Sequence, residues 1–114
     1  MIARRLGLRG ATALALLAIA QATAVAQSAD LKVGRQKAQV CAVCHGEFGR
    51  ANAPDAPHLA GQPEVYIATQ LRNYRSGKRQ HEVMTLMAKP LSDADIEALA
   101  AWYASIAFDV KPPG

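Results

Sequence analysis

This 114-residue chain has only two cysteines, three apart, with a histidine directly after the second: Cys41-Ala42-Val43-Cys44-His45. No other feature narrows the fold as far. At a helix end, cysteines three apart project to the same side, and the next residue brings an imidazole to that region. Two cysteines cannot make a disulfide-dense framework, an all-cysteine zinc site or a four-cysteine iron–sulfur site within one chain. A thioredoxin-type redox pair needs a strand before it and a βαβ context. The residues before Cys41 read as helix instead. A plain disulfide has no use for His45, and zinc would need two more ligands when only His58 and His81 remain.

Residues 1–26 read as an export signal. Arg4, Arg5 and Arg9 form a basic start, Ala11 to Ala20 an apolar run, and Ala24-Val25-Ala26 a small-x-small cleavage pattern. An uncleaved anchor is the competing reading, but the run falls short of the ~20 residues that span a hydrocarbon core. Cleavage after Ala26 is expected, leaving residues 27–114 as a single periplasmic domain with no membrane span. The signal removes three arginines and no acids, so the net charge of +4 falls to +1, from 10 basic and 9 acidic side chains over 88 residues. No basic stripe interleaved with aromatics remains, and nucleic acid is not an expected partner. Apolar residues make up 51% of the chain and charged ones 19%, which excludes disorder.

Three helical segments are expected. The first runs from Leu31 to Ala42 behind Asp30 as N-cap, with Leu31, Gly34, Ala38 and Cys41 at helical spacing. Gly34 inside it costs ~1 kcal/mol relative to Ala, and close approach of another helix is the usual reason. The stretch from Gly46 to Gln62 is rich in Gly and Pro and reads as a long wrapping loop. The second helix starts at Pro63, carries Ile67, Leu71 and Tyr74 on its apolar face, and ends at Gly77. The third is capped by Ser92 with Asp95 three residues on, and repeats Ile96, Leu99, Tyr103 and Ile106 beside Trp102. No alternating strand pattern exceeds a few residues, so the fold class is all-α. Three short helices and six aromatics make a thin core. A flat apolar cofactor would supply what is missing.

C-x-x-C-H is the covalent haem attachment pattern. Cys41 and Cys44 would reach the two vinyl groups of one porphyrin edge as thioethers, and His45 would fall under the iron. Attachment takes place outside the cytoplasm, in agreement with the independent export signal.

With these residues in place, the chain resembles the class I c-type cytochromes, in particular small bacterial periplasmic one-haem cytochromes and single haem domains of their two-haem relatives. The matching segments are GRQKAQVCAVCHG at 34–46, PHLAGQ at 57–62, QLRNYRSGKR at 70–79 and MTLMAKPLSDADIEALAAWYASI at 84–106. The resemblance implies three main helices and long loops around one haem c. It implies that Gly34 meets Trp102 where the terminal helices cross. It also implies that the Pro57 carbonyl accepts a hydrogen bond from His45.

For the sixth iron position Met84 and Met87 are the candidates, with His81 or an open site as alternatives. Family spacing to Leu91 favours Met84, and Met87 then reads as core filler. His58 reads as a surface residue. Arg72, Arg75, Lys78 and Arg79 read as a solvated helix end or a docking patch, and the resemblance makes Arg79 a candidate contact for the haem propionates. The implied function is a soluble periplasmic one-electron carrier with His45/Met84 ligation, meeting redox donors and acceptors transiently. The alternative is a dedicated cytochrome subunit of a periplasmic dehydrogenase or sulfur-oxidising complex. An enzymatic role of its own is not expected in so short a chain.

Overall fold

The best-defined element begins where the sequence marks it. Ser92 is extended, its hydroxyl accepts the Asp95 amide at 3.1 Å, and the Asp95 carboxylate accepts the Ser92 amide at 3.0 Å. This reciprocal pair satisfies two amides that a helix start leaves unpaired. The computed structural model describes residues 30–114. In chain order the helices are α1 at 30–37, α2 at Ala42–His45, α3 at Glu64–Ser76, α4 at Glu82–Ala88 and α5 at Asp93–Ala104, and no strand occurs among the described residues. The expected export signal at 1–26 lies outside the described residues.

The all-α expectation holds, with four changes of detail. The first helix is not continuous to Ala42: residues 38–41 tighten into turns, and α2 follows as a separate short helix. There Gln39 donates its amide to Gln36 and Cys41 to Ala38, three residues back in each case. Three-residue bonds wind the chain more tightly than α-helix and turn the following residues to a new direction. Asp30 is itself helical, so it is not the cap. Pro63 is the N-cap of α3 rather than its first residue, because its ψ of 134° is extended. The fourth change is α4, a seven-residue helix that hydrophobic spacing does not reveal.

The core is small. Ala38, Ile67, Ala68, Ile96, Leu99, Ala100 and Tyr103 are buried together, drawn from α3, α5 and the turn after α1, with Leu71, Leu91, Trp102 and Ile106 packed against them. Full burial of one Leu or Ile contributes ~1.5–3 kcal/mol. Few such residues are available here, which makes helix approach matter. A Cβ at Gly34 would fall onto the Ala98 carbonyl oxygen and within 2.7 Å of the Trp102 Cβ. Only glycine lets α1 cross α5 this closely, as expected for the Gly34–Trp102 pair.

Ion pairs join the helices at the surface. Arg72 meets Glu97, and Arg75 meets Asp93 at 2.6 Å while also donating to the Leu91 carbonyl at 2.9 Å. Two of the four clustered cations therefore link α3 to α5 or the turn before it. Lys37 pairs with Asp95 at 2.9 Å and ties α1 to the start of α5.

The segment from 46 to 63 wraps as expected for a long loop. Asn52 and Ala53 donate to the Cys44 carbonyl, Leu59 and Ala60 to Gly49, and Gly61 to Tyr103 on α5. Gly49 has φ of 74°, and a Cβ there would come within 2.6 Å of the Ala60 nitrogen. A side chain at this position would force the loop apart.

Candidate haem site

Three histidines are present, and their hydrogen bonds distinguish them. A neutral imidazole carries one hydrogen, so the bond at Nδ1 decides what Nε2 can do. His45 is 6% exposed, and its Nδ1 lies 2.8 Å from the Pro57 carbonyl oxygen. That oxygen can only accept, so the hydrogen sits on Nδ1 and the Nε2 lone pair is free to bind a metal. His58 is the reverse: its Nδ1 accepts the Ala51 amide at 2.8 Å, which puts the hydrogen on Nε2. His81 likewise accepts at Nδ1, from the Val83 and Met84 amides. As arranged, only His45 presents a ligating nitrogen.

Two adjoining cavities open beside His45. One, of about 350 Å³, is almost wholly apolar and is lined by Cys41, Cys44, His45, Leu59, Ile67, Met84, Met87, Leu99 and Tyr103, among others. The other, of about 280 Å³, shares Cys44, His45, Leu71 and Met84 with the first and adds Asp55, Gln70, Arg79 and His81. Each volume is at or near the low end of ligand pockets, about 300–1,000 Å³.

The sequence-derived candidates divide accordingly. Cys41, Cys44, His45 and Met84 all line the apolar cavity, and Met84 is half-buried. Met87 lines that cavity only and is 37% exposed. Arg79 lines the more polar cavity, its Nη1 donating to Gln70 Oε1 at 2.7 Å and its guanidinium 4.7 Å from the Tyr74 ring centre. Gln70 and Tyr74 thus orient Arg79, a role that no local sequence signal announces. Tyr103 is a second addition. It is 2% exposed, lines the apolar cavity, and its hydroxyl lies beside the Cys41 thiol.

The electrostatics oppose a thiol-redox site. Burial pushes the Cys41 thiol upward, only partly offset by the neighbouring Tyr103 hydroxyl. Burial, with the Cys41 thiol beside it, likewise pushes the Tyr103 hydroxyl well above the usual range. A reactive disulfide-exchange cysteine needs a lowered pKa. The donor set instead fits haem: two sulfurs and a free imidazole nitrogen at an apolar slot, with an oriented guanidinium at the polar end for carboxylates.

This fold and site are those of a class I c-type cytochrome. The comparisons agree. The family model described as cytochrome c matches residues 31–107. The thiosulfate dehydrogenase electron acceptor of Thiomonas intermedia (strain K12) is 47% identical over 77 residues, 67% of this chain and 36% of that protein. Cytochrome c-554(548) of Halomonas halodenitrificans is 40% identical over 79 residues, 67% of this chain and 95% of that one. The crystal structure of reduced recombinant cytochrome c4 from Pseudomonas stutzeri superposes with a TM-score of 0.64 at 39% identity, covering 69% of this chain and 46% of that chain. The chain thus spans little more than a third of the Thiomonas protein and under half of the cytochrome c4 chain. The chain belongs to the cytochrome c family, whose members carry electrons on covalently bound haem c. No helix among the described residues is long and apolar enough to cross a membrane.

Proposed function

We propose that residues 27–114, after removal of the export signal, act as a periplasmic one-electron carrier with one haem c. Cys41 and Cys44 would hold it as thioethers, and His45 and Met84 would ligate its iron. The observation that carries this reading is the His45–Pro57 hydrogen bond, which leaves Nε2 free at the cavity shared with Met84. Haem iron would supply a one-electron ferric–ferrous couple, and ligation by Met together with His raises its potential. The chain's own part is to shape that couple. Leu59, Ile67, Leu99 and Tyr103 line the cavity and would keep water from the haem face. Pro57 keeps the His45 ring oriented. Arg79 would take a propionate, already oriented by Gln70 and Tyr74.

Met84 is preferred to Met87 because it lines both cavities beside His45, while Met87 lines one and is more exposed. The test is optical and electrochemical. Met84→Ala should abolish the weak ferric Met-to-iron band, lower the reduction potential and admit carbon monoxide to the ferrous iron. Met87→Ala should keep the band. The opposite pattern would reverse the assignment.

A second reading concerns the partner. The Thiomonas relative is named as an electron acceptor of thiosulfate dehydrogenase. This likeness supports a role as dedicated acceptor for a periplasmic dehydrogenase of that kind. Transient redox partners typically bury less than about 1,200 Å². Reduction of the purified protein by such a dehydrogenase, faster than by an unrelated reductase, would favour the dedicated role.

A further inference from the structure

α4 is too short to owe its shape to itself. It has seven residues, of which only Ala88 is buried. Isolated helices below ~12–15 residues are marginal in water, and a helix normally makes up the deficit by burying a face. α4 buries little, yet it carries Met84. Its first turn is instead held by His81. This residue is extended, with φ of −158° and ψ of 135°, and stands at the N-cap. Its Nδ1 accepts the Val83 amide at 3.2 Å and the Met84 amide at 3.3 Å. Its carbonyl accepts the Thr85 amide at 3.0 Å, and its own amide donates to Thr85 Oγ1 at 3.0 Å. Four hydrogen bonds thus tie His81 to the turn, and one of them is to the backbone of Met84 itself.

We propose that His81 is a positioning residue for the Met84 ligand: by capping α4 through Nδ1, it holds the first turn closed and keeps the Met84 thioether at the cavity. The inference rests on Met84 being the sixth ligand. It also gives His81 a role incompatible with ligating the iron in this arrangement, because the hydrogen that Nδ1 lacks occupies Nε2. Histidine is not among the preferred capping residues, which are Asn, Asp, Ser and Thr. Asn can accept from the same amides and is therefore the conservative replacement.

The experiment uses ferric holoprotein. Amide hydrogen exchange at Val83 and Met84 reads local opening of the turn, and the affinity for added imidazole reads displacement of the methionine. His81→Ala should raise both about fivefold, the factor equivalent to ~1 kcal/mol of lost cap, and weaken the ferric Met-to-iron band. His81→Asn should return both to within about twofold of the parent. Unchanged exchange and imidazole affinity in His81→Ala would overturn the proposal, as would His81→Asn behaving like His81→Ala. Should His81→Ala yield no holoprotein, Thr85→Val removes only the hydroxyl that accepts the His81 amide. It should speed exchange about twofold, and no change would overturn the proposal. Met84→Ala separates the two readings. If it keeps the band, the ligand assignment fails and the positioning role goes with it, whereas exchange at Val83 still reports whether the cap exists.

Discussion

His45 and Met84 line the same cavities, but the chain holds them by different kinds of contact. His45 is buried and bonded to Pro57, twelve residues on. The carbonyl of Cys44 beside it accepts two loop amides, and the loop is closed in turn onto Gly49 and Tyr103. Met84 sits in a short, mostly exposed helix whose first turn is bonded to residues no more than four positions away. The His45 side can open only if the long loop and its anchor on α5 open with it. The Met84 side can open by releasing one turn. Local openings of this kind have lower free energies than global unfolding. One end of the site is therefore built to stay and the other to yield.

The largest test of this contrast compares the two ligand candidates directly. His45→Ala should leave several-fold less holoprotein than the parent, because the residue next to the attachment cysteines is lost together with its tie to the loop. Met84→Ala should accumulate holoprotein near the parent level, with intact mass equal to residues 27–114 plus one haem. Equal yields from the two variants would break the contrast.

A smaller effect concerns the frame to which both sides are anchored. In Gly34→Val the new Cβ meets the Ala98 backbone, which cannot move aside as a side chain could. Overpacking of this kind costs ~1–3 kcal/mol. For a domain of this size each kcal/mol corresponds to a fall of about 4–8 °C in Tm. An unchanged Tm would show that the crossing of α1 and α5 tolerates a side chain.

Capping sharpens the comparison further. Ser92→Ala should cost ~1 kcal/mol, about what His81→Ala costs. Ser92 opens α5, which supplies four of the seven core residues, so its loss should appear in the global denaturation midpoint. Loss of the His81 cap should appear mainly in exchange at Val83 and Met84. If both variants shift the global midpoint equally, α4 is part of the cooperative core after all.

The smallest effect is on acid stability. The Asp95 carboxyl is held down to about 2 from an ordinary 3.8, first by Lys37 and then by Ser92. A carboxyl with a folded pKa below its unfolded value stabilises the fold above the unfolded pKa and loses that contribution as pH falls through the folded one. Acid sensitivity from this group should therefore fall between about pH 4 and pH 2. Lys37→Ala should lower stability slightly at pH 7, where the contribution is fully present, and the difference from the parent should vanish as pH falls towards 2, as followed by denaturation under circular dichroism at the two pH values.

Much of this was legible before the structure. The span and end of α3, the Ser92–Asp95 cap and the apolar face of α5 follow from local rules, because their partners lie within a few residues. The resemblance supplied the Gly34–Trp102 approach and the Pro57 position, both of which depend on residues distant in sequence. α4 was not legible, because a seven-residue helix with one buried residue leaves no periodic apolar pattern, and its cap is a histidine. By its sequence alone the basic cluster reads as a solvated helix end or docking patch. The acids that take up Arg72 and Arg75 lie 18 to 25 residues away on α5.

What the sequence determined by itself was chemical identity: two sulfurs and an imidazole at attachment spacing, a chain with too little apolar bulk to close its own core, and helix ends written in Ser, Asp, Gly and Pro. The tertiary structure decided how identical groups differ. Three imidazoles have the same chemistry in isolation. Only the fold places a carbonyl against Nδ1 of His45 and backbone amides against Nδ1 of His58 and His81. A hydrogen on one ring nitrogen is set by the partner of the other, and for His45 that partner comes from the far side of a long loop.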